Sequence, residues 1–237
     1  MINNYPLINI YERCSFKSKI SSQLLYGEKF RIIKKKNKWL KIKTSYDKYT
    51  GFIRNRKFIK NLRVTHKVSS LKANLYSKPK KNFLTSCKLS FCSLVSVNKK
   101  EKNFYNIGKY WIEKSDIVPI KYKIKLFKNI KNFKNVPYKW GGVSYKGIDC
   151  SALVQLFFKF NNQYCPRDTK DQINFFKKVK KIKKNAIIFW KGHVAVCISN
   201  KDLIHAYGPR KKVLIMNIVK TLILIEKTAK LRVIGIR

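Results

Sequence analysis

The stretch GIDCSALVQ, residues 147–155, decides how the second half of the chain folds. A turn that contains Gly147 and Asp149 leads into apolar residues with helical spacing, which continues to residue 161. Cys150 is therefore expected at the first turn of a helix, where the amide dipoles stabilise a thiolate and depress the pKa of the thiol. The other five cysteines lack such a position, and we interpret them as small apolar side chains in a reducing compartment.

Two of the three histidines, His193 and His205, fall in neighbouring predicted strands of one hairpin. A cysteine peptidase needs a thiolate, a histidine that accepts and returns its proton, and a polar group that orients the histidine. Cys150, His193 and His205 supply these groups in chain order. The two histidines share one face of the sheet only if the hairpin loop is odd in length or bulged, and the sequence leaves this register open.

Each of these three residues also has a purely structural interpretation. A single buried cysteine usually serves packing, and a histidine in a strand is often a hydrogen-bonded core residue. A cysteine and two histidines could also bind zinc. The spacing matches no compact zinc motif and no second ligand cluster accompanies it, so we favour nucleophilic catalysis and expect neither a metal nor a cofactor.

The remaining sequence predicts an α+β protein. Short alternating apolar runs broken by turns occur twice in the first half, as in the strands of small barrels. After Pro119 the spacing predicts helices over residues 150–161 and 168–179, and then an antiparallel sheet. The predicted strands of this sheet cover residues 186–190, 193–199, 203–207, 213–218 and 231–236.

We therefore expect three domains. Two small barrels occupy residues 1–60 and 61–120, and a catalytic domain with helices and an antiparallel sheet occupies residues 121–237. No apolar run approaches the roughly 20 residues of a membrane span. The N-terminus lacks the features of a secretory signal, so we expect a cytoplasmic protein and leave its oligomeric state open.

The chain carries 55 basic and 11 acidic side chains, a formal net charge of +44. Its hydrophobic content of 45% is nevertheless sufficient for a packed core. Lysine runs such as residues 177–184 could bind phosphates. The charge is dispersed, however, and lysine greatly outnumbers arginine, so we favour a solvated surface or compositional drift and expect no specific nucleic-acid partner.

Five ordered motifs resemble the NlpC/P60 family of papain-like cysteine peptidases, which cut bacterial cell-wall peptides. They are PYKWGG at 137–142, GIDCSALVQ at 147–155, PRDT with a glutamine at 166–172, GHVA at 192–195 and LIHA at 203–206. The resemblance implies a papain-like catalytic domain. The barrels resemble bacterial SH3-like domains, an arrangement similar to γ-D-glutamyl-L-diamino-acid endopeptidases that recycle murein peptides.

By this resemblance Cys150 is the nucleophile, His193 its general base, and His205 the residue that orients His193. Tyr138 is expected to lend its hydroxyl to the oxyanion site beside the Cys150 amide. The implied substrate is a murein peptide with a free N-terminal L-Ala.

The resemblance also implies a set of substrate-binding residues. Asp149 and Glu28 are expected to hold the free amino terminus of the peptide. Further residues are expected to line the same pocket, namely Ser151, Trp140 and Tyr49.

Two other functions stay open at this point. An exported enzyme would cut intact wall and use its barrels as anchors, whereas a non-catalytic basic module would bind nucleic acid or an anionic glycan. The sequence does not choose between diaminopimelate and lysine in the substrate. One departure from the family pattern is Ala152, which replaces the usual glycine and adds a methyl group where the helix packs tightly.

Overall fold

The structure, a computed structural model, describes residues 1–237, which form two compact units. Residues 1–122 and 143–145 make up the first unit, and residues 123–142 and 146–237 make up the second. None of the helices combines the length and the apolar composition that crossing a lipid bilayer requires.

The first unit begins with a five-stranded antiparallel sheet. Its strands are β1 (Leu7–Tyr11), β2 (Ile20–Leu25), β3 (Phe30–Lys36), β4 (Trp39–Thr44) and β5 (Thr50–Arg54), in the order β2-β1-β5-β4-β3. Burial alternates along β1 and β5, as expected where one face of a sheet covers a core. Ile10, Ile42 and Ile53 on that face are fully buried.

Eight short strands follow in the first unit. They are β6 (His66–Val68), β7 (Lys72–Tyr76), β8 (Leu84–Ser90), β9 (Leu94–Val95), β10 (Lys99–Glu101), β11 (Phe104–Asn106), β12 (Trp111–Glu113) and β13 (Ile117–Pro119). They form a sheet of order β10-β11-β12-β7-β8 and a smaller one of order β13-β6-β9. Their own apolar core includes Val68, Leu89 and Ile112. The domain limits at residues 60 and 120 stay predictions.

The second unit contains the three α-helices and a five-stranded antiparallel sheet. Two short strands precede the first helix in the chain: β14 (Val143–Ser144), which belongs to the first unit, and β15 (Gly147–Ile148), which belongs to the second. The further elements are α1 (Cys150–Phe160), α2 (Thr169–Phe175), β16 (Ile187–Trp190), β17 (His193–Cys197), β18 (Asp202–Tyr207), β19 (Lys212–Asn217), α3 (Ile218–Ala229) and β20 (Val233–Ile236). The sheet order is β19-β18-β17-β16-β20. This combination of helices and antiparallel sheet confirms the α+β class.

Two helices differ from the sequence expectation. Helix α2 ends at Phe175 instead of residue 179, because Phe176 is extended and the lysines that follow would repel one another at helical spacing. Helix α3 was not predicted. Its signals are the Asn217 side chain, which accepts from the Lys220 amide as an N-cap, and the apolar spacing that buries Ile218 and Ile225.

Helix α1 is the central buried element of the second unit. Its apolar residues point in nearly every direction, and it packs against β17 and β18. A helix that is apolar on all sides is stable only when it is enclosed. The packing places α1 against the two strands that carry the histidines.

Candidate active site

Cys150 is the first residue of α1, as expected. The Asp149 side chain caps the helix, since its Oδ1 accepts from the Ala152 amide at 2.8 Å. The backbone amides of Ser151 and Val194 donate hydrogen bonds to the Cys150 sulfur. Val194 directly follows His193 in β17, so the contact joins the nucleophile position to the strand of its expected base.

The protonation of Cys150 differs from the expectation. Burial raises the pKa of its thiol to about 12, and the Asp149 charge acts in the same direction. The amides of Val194 and Ser151 lower this pKa but are outweighed. Desolvation of Cys150, a residue that is only 7% exposed, therefore outweighs the amides at the helix N-terminus.

The two histidines meet on one face of the sheet. The residues between the paired positions Cys197 and Leu203 run from Ile198 to Asp202, an odd number. The register therefore places both side chains on the same face. His193 Nε2 lies 2.9 Å from His205 Nδ1, a hydrogen-bond distance.

Both histidines are enclosed by aromatic rings. His205 is fully buried and stacks on Tyr207 with ring centroids 4.8 Å apart, and His193 lies against Trp190. Burial lowers the pKa of His193 to about 4. It lowers the pKa of His205 to about 3, with a further decrease from His193. Both imidazoles are therefore neutral at pH 7.

Asp149 and Arg167 form a buried ion pair beside Cys150. Arg167 Nη2 donates to Asp149 Oδ2 at 2.6 Å, and Nη1 donates to Oδ1 at 3.0 Å. Ser151 Oγ donates to the same carboxylate and accepts from Arg167. The carboxylate expected to hold a substrate ammonium is thus already engaged by protein donors, and its charge is compensated by Arg167.

The loop at residues 137–142 is tied to the same carboxylate. The Gly141 amide donates to Asp149 Oδ2 at 3.0 Å, and Gly141 adopts φ +70°, where glycine is favoured. A Cβ on Gly142 would collide with the carbonyl oxygen of Gly147. The two glycines of the WGG motif therefore allow the loop to close on the turn before Cys150.

Tyr138 lies on this loop, with its ring against Gly208. Burial raises the pKa of its hydroxyl to about 12, and the nearby Cys150 and Asp149 also raise it. The hydroxyl is therefore a neutral donor at pH 7, as an oxyanion site requires. Trp140, expected in the substrate pocket, is 62% exposed.

Glu28 and Tyr49 belong to the first unit. Glu28 is buried, and its Oε2 accepts from the Leu25 amide at 2.6 Å. The Tyr49 hydroxyl donates to the Ser21 carbonyl at 3.4 Å. Their roles toward a substrate stay predictions.

Several contacts around the site were not anticipated. Arg167 stands within the PRDT motif, but no local pattern indicates its partner 18 residues earlier. Gln172 donates to the carbonyls of Ser151 and Pro166 and so joins α2 to the start of α1. Ala152, the departure from the family pattern, is fully buried.

Comparisons with known proteins agree with this geometry. A model of the NlpC/P60 family matches residues 135–231, and a model of the bacterial dipeptidyl-peptidase SH3 domain matches residues 10–57. The gamma-D-glutamyl-L-lysine dipeptidyl-peptidase of Bacillus subtilis (strain 168) is 25% identical over 86% of this chain and 77% of its own length. Dipeptidyl-peptidase 6 of Lysinibacillus sphaericus is 24% identical over 84% of each protein.

A crystal structure of an NlpC/P60 family protein from Bacillus cereus ATCC 10987 has the same fold. Its TM-score is 0.84 at 19% identity, and the match covers 100% of this chain and 98% of that chain. The papain-like architecture expected from the motifs is thereby confirmed. Residues 135–231 form a cysteine peptidase domain of the NlpC/P60 family, which this chain joins to a bacterial dipeptidyl-peptidase SH3 domain at residues 10–57.

Proposed function

We propose that this peptidase hydrolyses the bond between γ-D-glutamate and a diamino acid in murein stem peptides with a free N-terminal L-Ala. We further propose that it acts in the cytoplasm on peptides released during wall turnover. The observation that carries the chemical part is the contact of Cys150, at the start of α1, with the amide of Val194, the residue that directly follows His193 of the hydrogen-bonded pair His193 and His205.

The first half of the reaction forms a thioester. His193 accepts the thiol proton of Cys150, and the sulfur attacks the carbonyl carbon of the γ-linked bond. The oxyanion accepts hydrogen bonds from the Tyr138 hydroxyl and the Cys150 amide, which has no acceptor inside the helix. The C–N bond then breaks as His193 gives its proton to the leaving amine.

The second half returns the enzyme to its starting state. Water attacks the thioester carbon and gives a proton to His193 as the C–S bond breaks. The γ-carboxyl product leaves, and the sulfur regains its proton from His193. His205 keeps the imidazole oriented through both halves by its 2.9 Å contact with His193.

The substrate part of the proposal has separate support. The similar Bacillus subtilis protein is named gamma-D-glutamyl-L-lysine dipeptidyl-peptidase, and this name contains the γ-D-glutamyl–diamino-acid unit of the proposed substrate. That relative aligns along most of this chain, including the first unit. A positive net charge of +44 also favours peptides that carry free carboxylates.

Three substrates test the proposal against its alternatives. Purified protein is incubated with free murein tripeptide, with its N-acetylated form and with intact sacculus, and the products are identified by mass spectrometry. Cleavage of the free tripeptide alone is expected. Cleavage of sacculus would instead indicate a wall hydrolase, and no cleavage of any substrate would indicate a binding module.

A matched pair of variants assigns any cleavage to the site. Cys150→Ser should abolish hydrolysis and keep the fold, because an unactivated hydroxyl is a far weaker nucleophile than a thiolate. Cys14→Ser, a change at a cysteine of the first unit, should keep wild-type turnover. Near-wild-type activity of Cys150→Ser would remove Cys150 from the mechanism.

A further inference from the structure

Both ring nitrogens of His205 have partners inside the second unit. Nδ1 lies 2.9 Å from Nε2 of His193, and Nε2 lies 3.4 Å from Sδ of Met216. His205 is fully buried, so the ring exchanges no hydrogen bonds with bulk water. The thioether of Met216 is therefore the group in contact with Nε2 of His205, the residue expected to orient His193.

A thioether can only accept a hydrogen bond, because its sulfur carries lone pairs and no proton. The contact with Met216 is therefore favourable only when His205 carries its proton on Nε2. A neutral imidazole has one N–H, so Nδ1 of the same ring is then an acceptor. His193 must then donate a hydrogen bond from its own Nε2–H to Nδ1 of His205. Nδ1 of His193 is therefore left without a proton.

We infer that Met216 is a positioning residue, whose sulfur selects the tautomer of His205 and thereby the tautomer of His193 that can accept a proton from Cys150. This inference rests on the proposed roles of His193 and Cys150. It adds a fourth member to the proposed proton-transfer series, in the order Cys150, His193, His205 and Met216, of which the last three are joined by observed contacts.

The opposite arrangement shows why the selection matters. If His205 carried its proton on Nδ1, this nitrogen would donate to Nε2 of His193. The bare Nε2 of His205, a fully buried residue, would then face the lone pairs of the Met216 sulfur. His193 would hold its proton on Nδ1 and could not serve as a base through that nitrogen.

The sheet holds the sulfur in place. Met216 lies on β19 opposite Leu203 of β18, and the ladder between these strands runs from the pair Asp202 and Asn217 to the pair Tyr207 and Lys212. The Met216 side chain packs against the apolar core of the second unit. Burial also keeps both imidazoles neutral at pH 7, so a tautomer rather than a charge state is selected there.

The composition makes a direct test practical. The chain has two methionines, Met1 and Met216, and three histidines. Replacement of methionine by norleucine removes the sulfur lone pairs at position 216 and keeps an unbranched side chain. Selenomethionine keeps an acceptor of nearly the same shape and is the matched control, since both replacements change Met1 equally.

The genetic counterpart is Met216→Leu, a change that roughly conserves volume. Leu222→Met, in the same apolar cluster but on α3, controls for altered packing. Two-bond ¹H–¹⁵N correlation spectra at pH 7 report which nitrogen of each imidazole carries the proton. The kinetic readouts are kcat and KM for the free tripeptide.

We expect the wild-type and selenomethionine proteins to show His193 and His205 both protonated on Nε2. Norleucine protein and Met216→Leu should show a mixture of tautomers and a kcat about three- to tenfold lower at unchanged KM, the size of one lost weak hydrogen bond. Wild-type tautomers in the norleucine protein, or a loss of kcat with unchanged tautomers, would overturn the inference. The tautomers seen in the spectra test the inference even if the tripeptide is not the substrate. If Met216→Leu does not fold, the spectra of the norleucine and selenomethionine proteins still test it.

Discussion

Burial, rather than charge pairing, sets the protonation of the catalytic residues. It raises the pKa of the Cys150 thiol to about 12 and lowers the pKa of His193 to about 4. At pH 7 Cys150 is therefore a thiol and His193 a neutral imidazole. In the proposed mechanism the thiolate forms when His193 accepts the thiol proton of Cys150.

A pH profile tests this protonation state. The base must be neutral, so kcat/KM should fall as the pH decreases through about 4, the pKa of His193, and not through 6.5, the ordinary value for histidine. The same lowered pKa means that the unfolded chain binds more protons than the folded one between these values. Folding stability should therefore also decrease as the pH falls below 6.5.

Circular dichroism over the same pH range shows at which pH values the protein remains folded. Only kcat/KM values from that range are used, so protonation of the base is separated from acid unfolding. An acidic limb of kcat/KM centred near 6.5, in protein that remains folded, would contradict a buried neutral base. Titration of the His193 imidazole, followed by ¹H–¹⁵N spectra over the same pH range, would then show whether this residue produces that limb.

At the scale of elements, the residue that caps α1 is paired with a positive charge that lies outside this helix. Asp149 caps α1, and Arg167, which precedes α2, compensates its charge. The Gly141 amide of the WGG loop donates to the same carboxylate. One buried carboxylate therefore connects the helix turn that begins at Cys150, the loop that carries Tyr138 and the segment that precedes α2.

Arg167→Gln should destabilise the second unit by about 3–5 kcal/mol, because it leaves the Asp149 carboxylate buried without a counter-ion. Arg232→Gln is the matched control, since Arg232 pairs with Glu226 at 2.9 Å but its side chain is 87% exposed. An exposed pair contributes about 0–1 kcal/mol. Denaturant unfolding measures the free energy of unfolding of both variants. Equal decreases would show that the Asp149–Arg167 pair stabilises the protein no more than an exposed ion pair does.

At the scale of the whole molecule, the proposed function predicts that a residue of the first unit, Glu28, takes part in substrate recognition. Glu28→Gln should lower kcat/KM for free L-Ala-γ-D-Glu-diamino-acid peptides about tenfold, because a charge-assisted hydrogen bond to the ammonium is lost. The N-acetylated peptide should already be a poor substrate for the wild type. Glu12→Gln changes an exposed carboxylate of the same unit and should have no effect.

Unchanged kinetics of Glu28→Gln on free peptide, together with equal cleavage of the N-acetylated form, would exclude recognition of the amino terminus. The wall-hydrolase alternative would then be favoured. Asp149→Asn tests recognition of the amino terminus less directly than Glu28→Gln, because it also removes the ion-pair partner of Arg167.

The net charge of +44 makes a second prediction at this scale. If the positive field attracts anionic peptides, kcat/KM for a tripeptide with free carboxylates should decrease about threefold or more between about 20 mM and 500 mM salt. The carboxamide analogue should change much less. Equal salt dependence for the two peptides would indicate that the charge does not act on the substrate.

Local sequence patterns determined the chemistry-bearing positions. The turn and apolar spacing around Cys150 predicted the start of α1, and the alternating runs predicted the strands of His193 and His205. These features depend on propensities and periodicity within a few residues, which a sequence displays directly.

Tertiary structure alone decided the contacts and the electrostatics of the site. The pairing of Arg167 with Asp149, the register that joins His193 to His205, and the sulfur of Met216 behind His205 all depend on which strands and loops pack together. The raised pKa of Cys150 has the same origin, because the expected effect of a helix N-terminus is local whereas desolvation depends on everything that encloses the sulfur. Helical and strand patterns specify where a side chain sits along its element, but only packing specifies what it faces.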